Sequence, residues 1–168
     1  MTYLAGKEFY QSDFHTSLYA EPSAVKKQLE SSISIRKLRR DEFDDFAFIY
    51  AEGFGMPVTL EGGIAQNNKV LYDNEHWTFY LASVDDQPAG IGVLCIQNGI
   101  ASLAAAATLP IMRNKGIHQA LINKRVQQAI TSNCNLIVGQ AKFGSISQNN
   151  MERAGMKIAY TKAIWLQK

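Results

Sequence analysis

The chain has 168 residues, enough to bury a sizeable core in one domain, and its 46% hydrophobic content and mean hydropathy of -0.14 suit a soluble enzyme or a binding module equally. A formal net charge of +2, from 17 Lys and Arg against 15 Asp and Glu, is nearly balanced and argues against nucleic acid as the main partner. The longest apolar run, residues 100–112, is broken by Ser102, Thr108 and Pro110 and is too short to cross a bilayer, so no membrane partner is expected.

The N-terminus, with Thr2, Tyr3, Lys7 and Glu8, lacks a signal-peptide core, and a cytoplasmic location is expected. Residues 7–19 read as an extended, aromatic-rich segment, and 22–30 as a polar linker or short helix. Phe9, Tyr10, Phe14, Leu18 and Tyr19 carry too much apolar surface to leave in water. Residues 1–31 are therefore expected to form an N-terminal arm packed on a sheet or on a second subunit. A faint echo between residues 4–9 and 154–156 hints at an extra strand or an exchanged arm.

Residues 32–38 alternate like a half-buried strand. Asp41 is placed to cap a helix in which Phe43, Phe46, Ala47, Tyr50, Ala51 and Phe54 recur at helical spacing, and Gly53, Gly55 and Pro57 break it. The charges running from Lys37 to Asp45 read as a solvated strand end meeting an acidic helix start. A weaker helix is expected over residues 60–72, with Gly62 and Gly63 counting against it.

Two strands follow, 77–84 and 89–96, with residues 85–88 as the turn. Asn98-Gly99, a strong hairpin signal, leads into a third strand over 100–109. After a basic turn comes a helix whose Ile122, Val126, Ala129 and Ile130 form an apolar stripe, with Lys124, Arg125, Gln127 and Gln128 off it. Residues 136–141 form a short strand, Ser145 starts a helix that Gly155 ends, and 156–165 close as a final strand. Cys95 and Cys134 have no metal-type or disulfide-framework spacing and read as reduced thiols; no metal site is expected. This order gives an α+β fold: a mixed, largely antiparallel sheet with helices on its faces.

The stretch from Thr108 to Leu121 points to chemistry. It leads from an alanine-rich strand through Pro110 into a basic turn and then a helix, whose first N–H groups have no intrahelical partner and face whatever anion lies there. Arg113 and Lys115 add charge beside them, so the turn describes a phosphate pocket.

The residues Arg113-Asn114-Lys115-Gly116-Ile117-His118 resemble the coenzyme A diphosphate loop of the GCN5-related N-acetyltransferase (GNAT) superfamily, Gln/Arg-x-x-Gly-x-Gly/Ala between a strand and a helix. His118 departs from the small residue of that pattern. Residues 140–155 are similar to the second cofactor-side strand, helix and closing glycine. The resemblance covers residues 32–168 as one acetyltransferase domain and implies a splayed pair of parallel strands, ending at Thr108 and Gln140, with acetyl-CoA between them.

It further implies transfer of the acetyl group to a primary amine of a small molecule or peptide by direct attack, with no metal. The cofactor-binding residues would be Ala107, Thr108, Leu109, Arg113, Asn114, Lys115, Gly116, Ile117, His118, Gln140 and Asn150. Many relatives carry a Tyr on the following helix as the acid for the leaving thiolate; counting back from Gly155 puts Met151 there. Glu52, in the break after the first helix, is a candidate base, and Tyr160 the nearest Tyr. A polar group of Ser145, Ser147 and Asn150 either caps its own helix or contacts the pantetheine or acceptor. The expected partners are acetyl-CoA and an unidentified amine acceptor, with a homodimer left open. A non-catalytic GNAT-fold module that binds coenzyme A or a protein is the alternative.

Overall fold

The structure, a computed structural model, describes residues 3–25 and 33–167. The chain runs β1 (Phe9–Ala20), β2 (Ser34–Lys37), α1 (Phe43–Phe54), α2 (Glu61–Lys69), β3 (Trp77–Val84), β4 (Gln87–Gln97), β5 (Ile100–Thr108), α3 (Ile117–Thr131), β6 (Leu136–Lys142), α4 (Ile146–Arg153) and β7 (Lys157–Gln167). The seven strands form one sheet in the order β2-β3-β4-β5-β6-β1-β7, antiparallel throughout except between β5 and β6. This is the α+β architecture expected. No helix among the described residues is long and apolar enough to cross a membrane.

The N-terminal segment enters this sheet as an interior strand. β1 lies between β6 and β7, pairing His15 with Lys142 on one side and with Lys162 on the other. Thr16, Ser17 and Leu18 are buried there. Pro22–Ala24 form a short 3-10 turn. The boundary drawn between residues 31 and 32 lies outside the described residues.

Alternation along the strands sorts the core into two layers. From β3, Phe79 and Leu81 face α1 and α2, while Tyr80 and Ala82 face α3 and α4. On the first face Phe43, Phe46 and Phe79 meet with ring centroids 5.2–5.7 Å apart, which anchors α1 to the sheet.

Several local expectations meet the structure directly. Asn98 and Gly99 both have positive φ, 52° and 75°, in a two-residue hairpin turn joining Gln97 to Ile100. Ser145 caps α4, its Oγ accepting from the Gln148 N–H at 3.2 Å.

Others are corrected. The turn between β3 and β4 is only Asp85-Asp86, both with positive φ, so Gln87 and Pro88 belong to β4. Asp41 does not cap α1; the helix begins after Glu42, whose carboxylate is engaged by Arg36 and Arg39 and caps nothing. Arg125, placed off the apolar stripe of α3, is 1% exposed, whereas Ile130 on that stripe is exposed.

Candidate active site

β5 and β6 pair only from Ile100 with Leu136 to Leu103 with Gly139, and then diverge. The cause is a bulge. Val93 of β4 faces Ala105 while Leu94 faces Leu103, which leaves Ala104 as an extra residue in β5. The bulge also reverses the facing of β5, so that Leu103 packs with the α3 layer and Ala105 and Ala107 with the α1 layer. Beyond Leu103 the edge of β5 toward β6 has no strand partner, and a cleft of about 560 Å³ opens there.

Each wall of the cleft comes from a different element. β5 supplies Leu103 to Ala106, β6 supplies Gln140 to Lys142, and β1 supplies His15. From the α1 side come Tyr50 and Phe54; from the other side come His118, Ile122 and Arg125 of α3 and Ser147 and Met151 of α4. The cleft therefore reaches both faces of the sheet. Among the described residues no carboxylate lines it.

At one end of the cleft stands the basic turn. Gly116 has φ 84°, a left-handed conformation that costs a residue with a Cβ energy, and there the chain enters α3. The first N–H groups of α3 have no intrahelical partner at this point, and the exposed Lys115 lies beside them. Arg113 is exposed and donates from Nη2 to the Gly53 carbonyl at 3.0 Å, which ties the turn to α1. Thr108 stands just before the turn, and its Oγ1 is buried without a hydrogen-bond partner. An unpaired strand edge and an anion-accepting helix start fit a ligand with amide and phosphate groups.

Two titratable groups in the cleft are strongly perturbed. His118 is pushed down to about 4, first by burial and then by the charge of Arg125, and so is neutral at physiological pH. Its Nδ1 lies 3.1 Å from Asn150 Nδ2. Burial lowers Arg125 to about 10, which leaves it charged.

A sequence model of the acetyltransferase (GNAT) family matches residues 35–155. The chain belongs to this family. A GCN5-related N-acetyltransferase from Sphaerobacter thermophilus superposes with a TM-score of 0.73 at 16% identity, covering 95% of this chain and 53% of that one. A conserved protein of unknown function from Staphylococcus epidermidis does so with a TM-score of 0.77 at 14% identity, covering 98% and 65%. The chain thus spans about half to two thirds of the length of these two. Against the aminoglycoside N-acetyltransferase AAC(6')-Iy, solved with CoA, the TM-score is 0.67 at 16% identity, covering 85% of this chain and 99% of that one. A comparison with curated proteins finds no match.

Within the GNAT fold of this chain, the residues singled out from the sequence fall into three groups. Thr108, Arg113, Asn114, Lys115, Gly116 and His118 lie along the turn and at its junction with the cleft, which His118 lines. Ala107, Leu109 and Ile117 are buried, with Ala107 packed under α1 and Ile117 in the layer of α3. Gln140 lines the cleft while its Nε2 donates to Ser17 Oγ of β1 at 3.1 Å, and Asn150 is reached through His118.

The two catalytic candidates lie elsewhere. Glu52 is in the last turn of α1 and not in the break after it, and it does not line the cleft. Tyr160 is exposed on the edge strand β7. Met151 is buried against Gly139 and also borders the cleft.

Sequence reasoning missed Arg125, Tyr50, Phe54 and His15. Arg125 alone left a signal, because Leu121, Arg125 and Ala129 recur at i, i+4 and i+8, a spacing that puts all three on the buried face.

Proposed function

We propose that this GNAT-family protein is an acetyl-CoA-dependent N-acetyltransferase that moves the acetyl group to a primary amine by direct attack. The observation that carries it is the cleft between β5 and β6, which reaches both faces of the sheet and has the basic turn at one end. AAC(6')-Iy, of the same fold, has been solved with CoA and with the bisubstrate analog CoA-S-monomethyl-acetylneamine, which supports a donor and an acceptor meeting in such a cleft.

In this reading the first turn of α3, with Lys115, holds the diphosphate. The free edge of β5 bonds the amides of the pantetheine arm in the way a neighbouring strand would. The acceptor enters from the side of Tyr50 and Phe54, whose rings shield the reacting atoms and favour the neutral amine over the ammonium. The amine nitrogen attacks the thioester carbonyl, the carbonyl π pair moves to oxygen, and collapse expels the sulfur. In this reading a backbone N–H of β5, beyond its last pairing with β6, stabilises the oxyanion. The proton of the attacking amine leaves through water in the cleft.

Calorimetric titration with acetyl-CoA, with dephospho-CoA and ATP as controls, tests the reading. Selective, saturable binding followed by acetyl transfer to members of an amine panel is the expected result. Binding without transfer to any amine would favour a non-catalytic module, and no binding at millimolar acetyl-CoA would overturn the cofactor assignment.

A further inference from the structure

Arg125 is a buried cation with no acidic partner. It is 1% exposed, yet no Asp or Glu contacts it among the described residues. Its Nε donates to the Leu121 carbonyl at 2.9 Å, and its Nη1 to the carbonyls of Val93 at 3.3 Å and Ala105 at 3.0 Å. Those two carbonyls flank the bulge that opens the cleft. Its Nη2 donates to no described residue, although Arg125 lines the cleft. Gly92 makes room for it, since a Cβ there would sit 3.3 Å from Nε. A guanidinium serving only as core filling is normally paired with a carboxylate and has its donors satisfied. This one keeps donors in reserve at the floor of a cleft.

The fold also sets its distance from the diphosphate turn. Nine residues separate Gly116 from Arg125, which is roughly 14 Å of helical rise. The pantetheine arm has about twelve bonds from its phosphate ester oxygen to sulfur, and extended it spans roughly 14 Å, the length of about four extended residues. An arm held at Gly116 and running past His118 and Ile122, which share the cleft-facing side of α3, brings its sulfur level with Arg125.

Resting on the acyl-transfer reading above, we propose that Arg125 is the cation that receives the negative charge left on the coenzyme A sulfur when the acetyl group departs. As the carbon–nitrogen bond forms and the carbon–sulfur bond breaks, the electron pair of the latter stays on sulfur as a thiolate. Arg125 holds that thiolate by charge and by the N–H groups of Nη2 without giving up a proton; the sulfur is later protonated from water. This supplies the stabilisation at the place where α4 presents Met151, a side chain with no proton to give.

The other charged or titratable groups that face the site do not compete for this role. From β6, Lys142 is paired with Asp13 of β1 at 2.6 Å. His118 of α3 is neutral and Tyr80 of β3 is held protonated by burial, while Tyr50 lines the cleft from α1, on the other face of the sheet from α3, and His15 lines it from β1.

The test is the thiol of free coenzyme A bound to the protein, followed by thiolate absorbance as a function of pH. In the wild type the bound thiol should titrate at least about one unit below the thiol of free coenzyme A followed in the same way. Raising the salt should leave the shift in place, because a buried charge is little screened. Arg125→Met should abolish the shift in bound coenzyme A, and Arg125→Lys should retain part of it.

An unshifted thiol in the wild type overturns the proposal whether or not Arg125→Met folds. So does a shift that vanishes in salt, which would assign it to the surface charges of the turn, or one that survives Arg125→Met. Failure of acetyl-CoA to bind the wild type would instead remove the acyl-transfer reading and this inference with it.

Discussion

His118 Nδ1 and Asn150 Nδ2 meet at 3.1 Å, joining the first turn of α3 to the middle of α4 beside the cleft. The bond requires an unprotonated Nδ1, and burial favours the same neutral ring.

That relationship predicts an acid-sensitive stability. Between pH 6.5 and about 4 the unfolded chain binds a proton at His118 that the folded chain refuses, so stability falls as the pH falls through this window. His118→Gln keeps an acceptor for Asn150 but cannot titrate. Urea unfolding at pH 7 and pH 4 should show the wild type losing about 2 kcal/mol more than the variant. Equal losses would mean that the ring is not held neutral.

Glu42 predicts a second, lower window. Its carboxylate accepts from Arg36 at 2.6 and 2.7 Å and from the Arg39 N–H at 2.8 Å, and these bonds, with Arg36 first, lower it to about 2. The stabilisation is present above about pH 4.5 and is lost as the pH falls through about 2. Because the guanidinium of Arg36 is partly exposed, Glu42→Gln should cost about 2 kcal/mol at pH 7, less than the full shift implies. Thermal unfolding at pH 7 and pH 2 checks it: the two proteins should differ at the first and converge at the second.

Gly53 predicts that α1 cannot tolerate a methyl group where it crosses β5. A Cβ there would lie 2.6 Å from the Ala107 Cβ and 3.3 Å from the Thr108 backbone nitrogen, neither of which can swing away. Gly53→Ala should destabilise by about 1–3 kcal/mol. Gly63 has nothing within 4 Å and lies in α2, so Gly63→Ala should stabilise by about 0.5–1 kcal/mol. Paired denaturant titrations would expose any error in this assignment as effects of the same sign.

At the turn, Gly116→Asp should abolish acetyl-CoA binding by placing a carboxylate at the proposed diphosphate site, with the circular dichroism of the folded protein retained. Gly116→Ala separates charge from strain. The left-handed φ of 84° should cost it about 1–2 kcal/mol of stability while binding is weakened far less. Unchanged affinity in Gly116→Asp would remove the turn from the site.

Much of the fold could be read from the chain because its signals are local. Asn98-Gly99 demands a tight turn whatever surrounds it, Ser145 can cap only the helix that follows it, and the order of strands and helices after residue 33 is set by periodicity within each segment. The basic turn before α3 was legible for the same reason. Glu42 was not, because Arg36 and Arg39 compete for its carboxylate across the strand end.

The sequence by itself determined the kinds of element, their order, and a helix start ready for an anion. Only the tertiary structure decided that β1 pairs with strands more than a hundred residues away, that Ala104 bulges and lets β5 part from β6, and that Arg125 is drawn inside. These outcomes depend on which surfaces meet and which carbonyls are left unpaired once the layers close. An arginine reads as solvated until Gly92 leaves space and the carbonyls of Val93 and Ala105 need a donor.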